Sequence, residues 1–206
     1  MKNLFNVLPT SKFGSKKNNI YKLDITNIED VKIAVDTFKP DILINTAAIT
    51  DVDYCENNKT EARNVNVNGL FNLIKSVSIN TRIIHFSSDY VFDGKQQLYS
   101  EESLPNPINF YGRTKLESEN LLIGQRKAYV IVRPNTIYSL RGINFFNWVY
   151  NQLKSSNTIN IVDDQISNPS YISSIIKSIV DMIVMNARGI YHHGSVDYLS
   201  RYEFCC

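Results

Sequence analysis

The chain has 206 residues, 43% of them apolar, and a net charge of +2 at neutral pH. That composition supports one substantial globular core and supplies too little positive charge to draw in nucleic acid over distance. The longest apolar run is far short of a membrane span and residues 1–17 are polar and basic without a signal-peptide core, so no membrane association and a cytoplasmic location are expected.

From the start of the chain, short apolar runs at 5–8 and 20–23 read as strands. A helix over 27–39 follows, with Ile28, Val31, Ala34, Val35 and Phe38 on one face, a Thr26-x-x-Glu29 capping box at its start and Pro40 at its end. A buried strand is expected at 42–45, a helix from about 60 to 79, a strand at 82–86 and a helix over 111–123 entered from the Pro105/Pro107 loop. A strand at 129–132 and helices near 144–154 and 172–185 complete the series. This alternation predicts an α/β fold with a parallel sheet. Ser200 and Glu203 have the spacing of a further capping box close to the last residue, Cys206.

A doubly wound dinucleotide domain opens with a strand, a G-x-G-x-x-G-like turn and a helix. No such turn occurs in these residues; Gly14 stands alone among lysines and asparagines. The expected fold is therefore a Rossmann-like doubly wound sheet without its first strand, glycine turn and first helix, and both ends read as cut.

Chemistry concentrates at Tyr111-Gly112-Arg113-Thr114-Lys115. On a helix, Tyr111 and Lys115 at i, i+4 share a face, and an ammonium beside a phenol lowers a pKa of about 10 towards neutrality. Taken alone, such a pair is more often a solvated one. The strand at 82–86 runs into Ser87-Ser88-Asp89-Tyr90-Val91-Phe92-Asp93-Gly94, which places hydroxyls at a carboxyl strand end, the edge where open α/β sheets bind ligands. The strand at 42–45 ends in Thr46-Ala47-Ala48-Ile49-Thr50, whose small residues let a flat ligand approach the backbone.

Other clusters have plainer readings. His192 and His193 are adjacent on a strand-like segment and point to opposite faces, so they cannot share a metal. Cys55 stands alone and Cys205 and Cys206 adjoin, which suits neither a disulfide framework nor a zinc site; no metal is expected. Asp163 and Asp164 read as a loop, and Phe145, Phe146, Trp148 and Tyr150 as helix core and pocket wall.

In order along the chain, Leu23-Asp24-Ile25-Thr26, Pro40-Asp41, Ile44-Asn45-Thr46-Ala47-Ala48, Thr50-Asp51-Val52-Asp53-Tyr54-Cys55-Glu56 and Val65-Asn66 form one series of motifs. The Ser87–Gly94 and Tyr111–Lys115 segments, Asn144-Phe145, Asp163-Asp164-Gln165 with Pro169, Gly189-Ile190-Tyr191-His192 and Ser200-Arg201-Tyr202-Glu203-Phe204 continue it. The series resembles the extended short-chain dehydrogenase/reductases, specifically the dTDP-4-dehydrorhamnose reductase family, from about residue 20 onward. The resemblance implies an NAD(P)H-dependent reductase of a nucleotide-linked 4-keto-6-deoxy sugar, of the kind used in L-rhamnose-type sugar synthesis. It implies Tyr111 as proton donor to the sugar carbonyl, Lys115 on the nicotinamide ribose and Ser88, where the family usually has Thr, on the carbonyl oxygen.

By the same resemblance Asp24 and Ile25 flank the adenine. Ala47, Ala48, Ile49, Thr50 and Ser87, with Tyr111 and Lys115, line the dinucleotide path. Val52, Ser88, Asp89, Tyr90 and Thr136 meet the substrate. Residues 1–140 read as the incomplete dinucleotide-binding domain, and 141–206 as a partial substrate-binding region interleaved with the last strands of the sheet. Two departures stand out: Pro134-Asn135-Thr136 follows Arg133 where an aromatic is common, and Ile166 follows Gln165 where glycine is usual. With 5–8 taken as the second strand of the usual fold, its end carries Thr10, Ser11 and Lys12 and no acidic residue for a ribose 2′-hydroxyl, which favours NADPH, with NADH as the alternative. A homodimer is left open, as are two rival functions: a non-catalytic subunit like the regulatory β-subunit of methionine adenosyltransferase, and an inactive remnant.

Overall fold

The computed structural model describes residues 4–126, 128–155 and 158–206. In chain order its elements are β1 (Thr10–Ser11), β2 (Tyr21–Lys22), α1 (Ile28–Phe38), β3 (Ile42–Asn45), α2 (Val52–Asn57), α3 (Lys59–Arg63) and a π-helical turn, Asn64–Asn68. They continue with α4 (Gly69–Ser76), β4 (Arg82–Phe86), α5 (Phe110–Gln125), β5 (Tyr129–Pro134), β6 (Ile137–Tyr138) and α6 (Phe145–Lys154). Last come β7 (Ile166–Ser167), β8 (Ser170–Tyr171), α7 (Ile172–Val184), β9 (Gly189–His193) and β10 (Leu199–Ser200). The chain divides into two compact units, Met1–Val132 with Arg188–Tyr191, and Arg133–Ala187 with His192–Cys206.

The first unit is built on a sheet of order β3-β4-β5-β9. Both β3–β4 and β4–β5 are parallel, in the registers Ile42↔Arg82 and Ile83↔Tyr129, so the fold is the expected Rossmann-like α/β arrangement. Leu70, Ile74, Val77, Ile83, Leu122 and Ile131 form one core cluster. Leu23, Ile25, Val31, Ala34 and Leu73 form a second, under α1. Among the described residues β3 is an edge of this sheet, while β1 and β2 form a separate parallel pair.

Three expectations need correction. Residues 5–8 are not a strand; the strand lies further on, at Thr10–Ser11, where the Tyr21 N–H donates to Pro9 and the Leu23 N–H to Ser11. An apolar run becomes a strand only where a partner presents its backbone groups. The cap of α1 is Asn27, whose side chain accepts from the Glu29 and Asp30 amides. Thr26 is diverted, because its amide and hydroxyl both donate to Asp24 at 3.0 and 2.7 Å. The helix ends as expected before Pro40, with Lys39 left-handed at φ 49°. Finally, the single helix expected over 60–79 is three segments, α3, the π-turn and α4, ending at Ser76.

In the second unit β6 pairs with β8 in parallel and β7 with β10 antiparallel. Tyr138 packs against Phe146, Tyr171 and Phe204, and Ile175, Ile179 and Val149 are buried. The second capping box forms: the Ser200 amide donates to Glu203 Oε2 at 2.7 Å and the Glu203 amide to Ser200 Oγ at 3.1 Å. Among the described residues no helix is long and apolar enough to cross a membrane.

Candidate active site

The site is assembled in the first unit by the ends of β3 and β4 and the first turns of α5. Helix α5 starts at Asn109, whose side chain accepts from the Gly112 amide at 2.8 Å. Glu56, at the end of α2, accepts from the Phe110 amide at 2.6 Å. Two side chains thus hold the orphan donors of the turn that carries Tyr111. The buried stripe of α5 is Tyr111, Thr114, Lys115, Ser118, Glu119 and Leu122, a mostly polar face that needs partners inside the protein.

Tyr111 is buried beside Cys55 and Ala62, with Ile49, Val52, Tyr90 and Phe110 around it. Its ring meets that of Tyr90 edge-on, the centroids 5.7 Å apart. Ser88 leaves β4 in extended backbone; its hydroxyl accepts from the Tyr90 amide at 3.2 Å and donates to Asp89 at 2.9 Å. The same hydroxyl also acts on the Tyr111 phenol, drawing its pKa down. Lys115 lies one turn on, 2% exposed.

The electrostatics correct one expectation. Burial pushes the Tyr111 phenol up to about 12, with the Ser88 hydroxyl working against the rise. Burial also brings the Lys115 ammonium down to about 8, opposed by Glu119. The anticipated depression of Tyr111 by Lys115 is absent, because removing the phenolate from water costs more than its surroundings return. A phenol in this state holds its proton at neutral pH and can give it to a stronger base formed beside it.

Gly112 sets the approach between the two segments. A Cβ there would lie 2.1 Å from the Tyr90 carbonyl oxygen and 3.0 Å from Pro107 Cβ. Gly112→Ala is expected to destabilise by about 1–3 kcal/mol through forced backbone shifts. Gly124→Ala on the same helix, where a Cβ meets nothing within 4 Å, should stabilise by up to about 1 kcal/mol. Urea unfolding of both variants checks the contrast, and equal midpoints for the two would refute it.

The remaining expected residues divide by position. Asp24 accepts from Thr26 and lies 3.6 Å from Lys12 Nζ; the Thr26 hydrogen bonds, with Lys12, hold its carboxyl below the usual range. Ile25 is buried, and its carbonyl accepts from Asn72 at 2.9 Å. Ala47 and Thr50 are exposed, Ala48 and Ile49 half-buried, and the Ala47 amide donates to Asn45 at 3.1 Å. Ser87 is buried, and its hydroxyl has no hydrogen-bond partner among the described residues. Val52, Asp89 and Tyr90 are half-buried around the Ser88–Tyr111 pair. Thr136 belongs to the second unit, where its amide donates to Asn135 at 2.7 Å.

Sequence reasoning gave no role to Asn66. Buried in the π-turn, it accepts from the Ile49 amide at 2.8 Å and donates to the Ile49 carbonyl at 3.0 Å and to Thr114 at 2.9 Å. It ties the loop after β3 to α5. π-turns concentrate at functional sites, but the amide pattern that would announce one here resembles ordinary helix. His192 and His193 take separate partners, Arg133 at 3.4 Å and Ser174 at 3.1 Å.

The chain is 36% identical to the dTDP-4-dehydrorhamnose reductase of Aggregatibacter actinomycetemcomitans over 191 residues, 89% of this chain and 65% of that protein. It is 28% identical to methionine adenosyltransferase 2 subunit beta of Xenopus tropicalis, over 89% of this chain and 58% of that one. The crystal structure of a Bacillus anthracis dTDP-4-dehydrorhamnose reductase in complex with NADP superposes with a TM-score of 0.88 at 30% identity, covering 96% of this chain and 77% of that chain. The chain therefore spans 65% of the length of the reductase relative, a little under two thirds. A family model described as the RmlD substrate binding domain matches residues 3–206, and the chain belongs to that family, the family of the dTDP-4-dehydrorhamnose reductases.

Proposed function

We propose that this chain carries the catalytic groups of an NADPH-dependent reductase acting on a nucleotide-linked 4-keto-6-deoxy sugar. The observation that supports the reading is the burial of Ser88 just past β4 and of Tyr111 on the first turn of α5, the Ser88 hydroxyl holding back the rise of the phenol's pKa, with Lys115 one turn along α5. Ser88 holds the ketone oxygen, and Tyr111 gives its proton to that oxygen as the carbonyl is reduced. Lys115 and the otherwise unpartnered Ser87 hydroxyl suit a ribose or carboxamide. Asp24, Ile25 and the Ala47–Thr50 segment suit the adenosine side. When bound, the reduced nicotinamide supplies the hydride. Val52, Asp89 and Tyr90 serve the sugar. The same reading carries a cytoplasmic setting and admits a homodimer.

NADPH is favoured by the NADP bound to the Bacillus anthracis relative and by Lys12 beside β1. Pyrophosphate binding in such folds rests on the N–H groups of a glycine turn and on the helix behind it, and none of the eight glycines here forms one. The 206 residues by themselves should bind NADPH weakly. Joined at their start to a strand, glycine turn and helix, they should bind it at about micromolar Kd and oxidise it with dTDP-4-dehydrorhamnose. Calorimetry of both forms and a turnover assay decide. Tight binding by the 206 residues alone refutes the account of the pyrophosphate, and a preference for NADH refutes the cofactor assignment. Dinucleotide binding without turnover replaces the reductase by the binding-subunit reading, which the methionine adenosyltransferase relative favours.

A further inference from the structure

Beneath the site lies a chain of buried polar groups for which catalysis has no direct use. His85 on β4 is fully buried, its Nδ1 3.2 Å from Asn45 Nδ2 and its Nε2 3.0 Å from Ser118 Oγ. The Ala47 amide donates to Asn45 Oδ1 at 3.1 Å, which fixes the amide so that its NH₂ faces the ring. Nδ1 must then accept, and the ring proton sits on Nε2. Ser118 donates its own hydrogen to the Lys115 carbonyl at 2.7 Å, so its oxygen is free to accept from Nε2–H. Each donor and acceptor has one assignment, and the polarity runs in one direction from the loop after β3 through β4 to the backbone of Lys115.

We propose that His85 is a positioning residue, a neutral Nε2–H imidazole that locks the turn bearing Tyr111 and Lys115 to the strand ends where Ala47 and Ser88 lie. The proposal rests on the reading of Tyr111 and Lys115 as the reacting pair. A protonated ring would point Nδ1–H at the Asn45 NH₂, donor against donor. Full burial and the Lys115 ammonium, the charged group acting on the ring, both hold it neutral far below its ordinary range. An apolar side chain would leave Asn45 and Ser118 without their partner. Glutamine retains both an acceptor and a donor.

The first test is nitrogen NMR of the imidazoles in the full chain, which has three histidines; His85→Gln assigns the signal. His85 should be neutral with Nε2–H throughout the mildly acidic range. In Asn45→Asp both ring nitrogens should be protonated at neutral pH, because the new carboxylate accepts from Nδ1–H. A neutral Nδ1–H tautomer in the parent chain, or an unchanged ring in Asn45→Asp, overturns the proposal.

The second test is the titration of Lys115, followed by carbon NMR of its ε-methylene, with a midpoint expected at about 8. His85→Leu should move that midpoint by about half a unit or more, and His85→Gln should return it, a response that loss of global stability alone would not give. Unchanged Lys115 titration in a folded His85→Leu overturns the positioning role even if the reductase assay succeeds. Failure of that assay with the expected NMR results removes the reductase reading and leaves the lock between β4 and α5 standing.

Discussion

Tyr111→Phe is expected to lower kcat by about 10²–10⁴-fold in the form of the chain supplied with a glycine turn, with its circular dichroism and thermal midpoint unchanged. The ring makes the packing contacts, edge-on to Tyr90 and against Cys55 and Ala62, and phenylalanine keeps all of them. On the proposed reading, what is lost is the proton for the ketone oxygen of the sugar. Burial holds the phenol at about 12, so the group is protonated across the working range and its loss cannot be made good by raising or lowering the pH. KM for the sugar should change less than kcat, since the proposed contact of Ser88 with the carbonyl oxygen is kept. Retention of more than about a tenth of kcat would show that another group delivers the proton.

Arg126→Met should destabilise the first unit by about 3 kcal/mol, because a buried cation here serves three carbonyls and hydrogen bonds to a charged group each contribute about 1.5–3 kcal/mol. Its guanidinium donates to the Ser78 carbonyl at 2.9 Å, to Val77 at 3.0 Å and to Ile74. These oxygens close the end of α4, where the helix dipole also favours a cation. Arg126 is only 7% exposed, and burial lowers its pKa from the usual value, yet the carbonyls keep it solvated from within. Methionine fills the apolar path and leaves all three acceptors dry. For a chain of this size the midpoint should fall by roughly 10 °C, and Arg126→Lys should recover only part, since an ammonium lacks the planar fork whose two nitrogens reach Ser78 on one side and Ile74 and Val77 on the other. A fall below about 2 °C in differential scanning calorimetry would rule out this role.

The helices with an apolar stripe are legible in the sequence, though the cap of α1 is not. Helix α1 lies within two residues of its expected bounds because Val31 and Ala34 recur on one face and Pro40 ends it. Helix α7, with Ile175 and Ile179 inward, was read the same way. Strands β3 and β4 match their expected runs because each residue of β3 pairs in parallel register with one of β4, and β4 pairs in turn with β5. At the start of the chain the same reasoning misplaced a strand. Among the described residues the apolar run at 5–8 has no strand partner, whereas Thr10–Ser11, with little apolar signal, is held by Tyr21–Lys22.

What the sequence by itself determined is local: the periodicity of the main helices, the order of strands and helices that makes a parallel α/β sheet, the i, i+4 relation of Tyr111 to Lys115 and the family motifs around Ser88. Only the tertiary structure decided the rest. That Asn66 turns inward from a π-turn, that Arg126 closes α4, and that Asn45, His85 and Ser118 form one polar chain depends on partners 17 to 52 residues away. The pKa values of Tyr111 and Lys115 shifted in a direction that spacing could not supply for the tyrosine, because spacing reports which groups are neighbours. Desolvation is set by everything packed around them, and for a buried phenol it outweighs the pair.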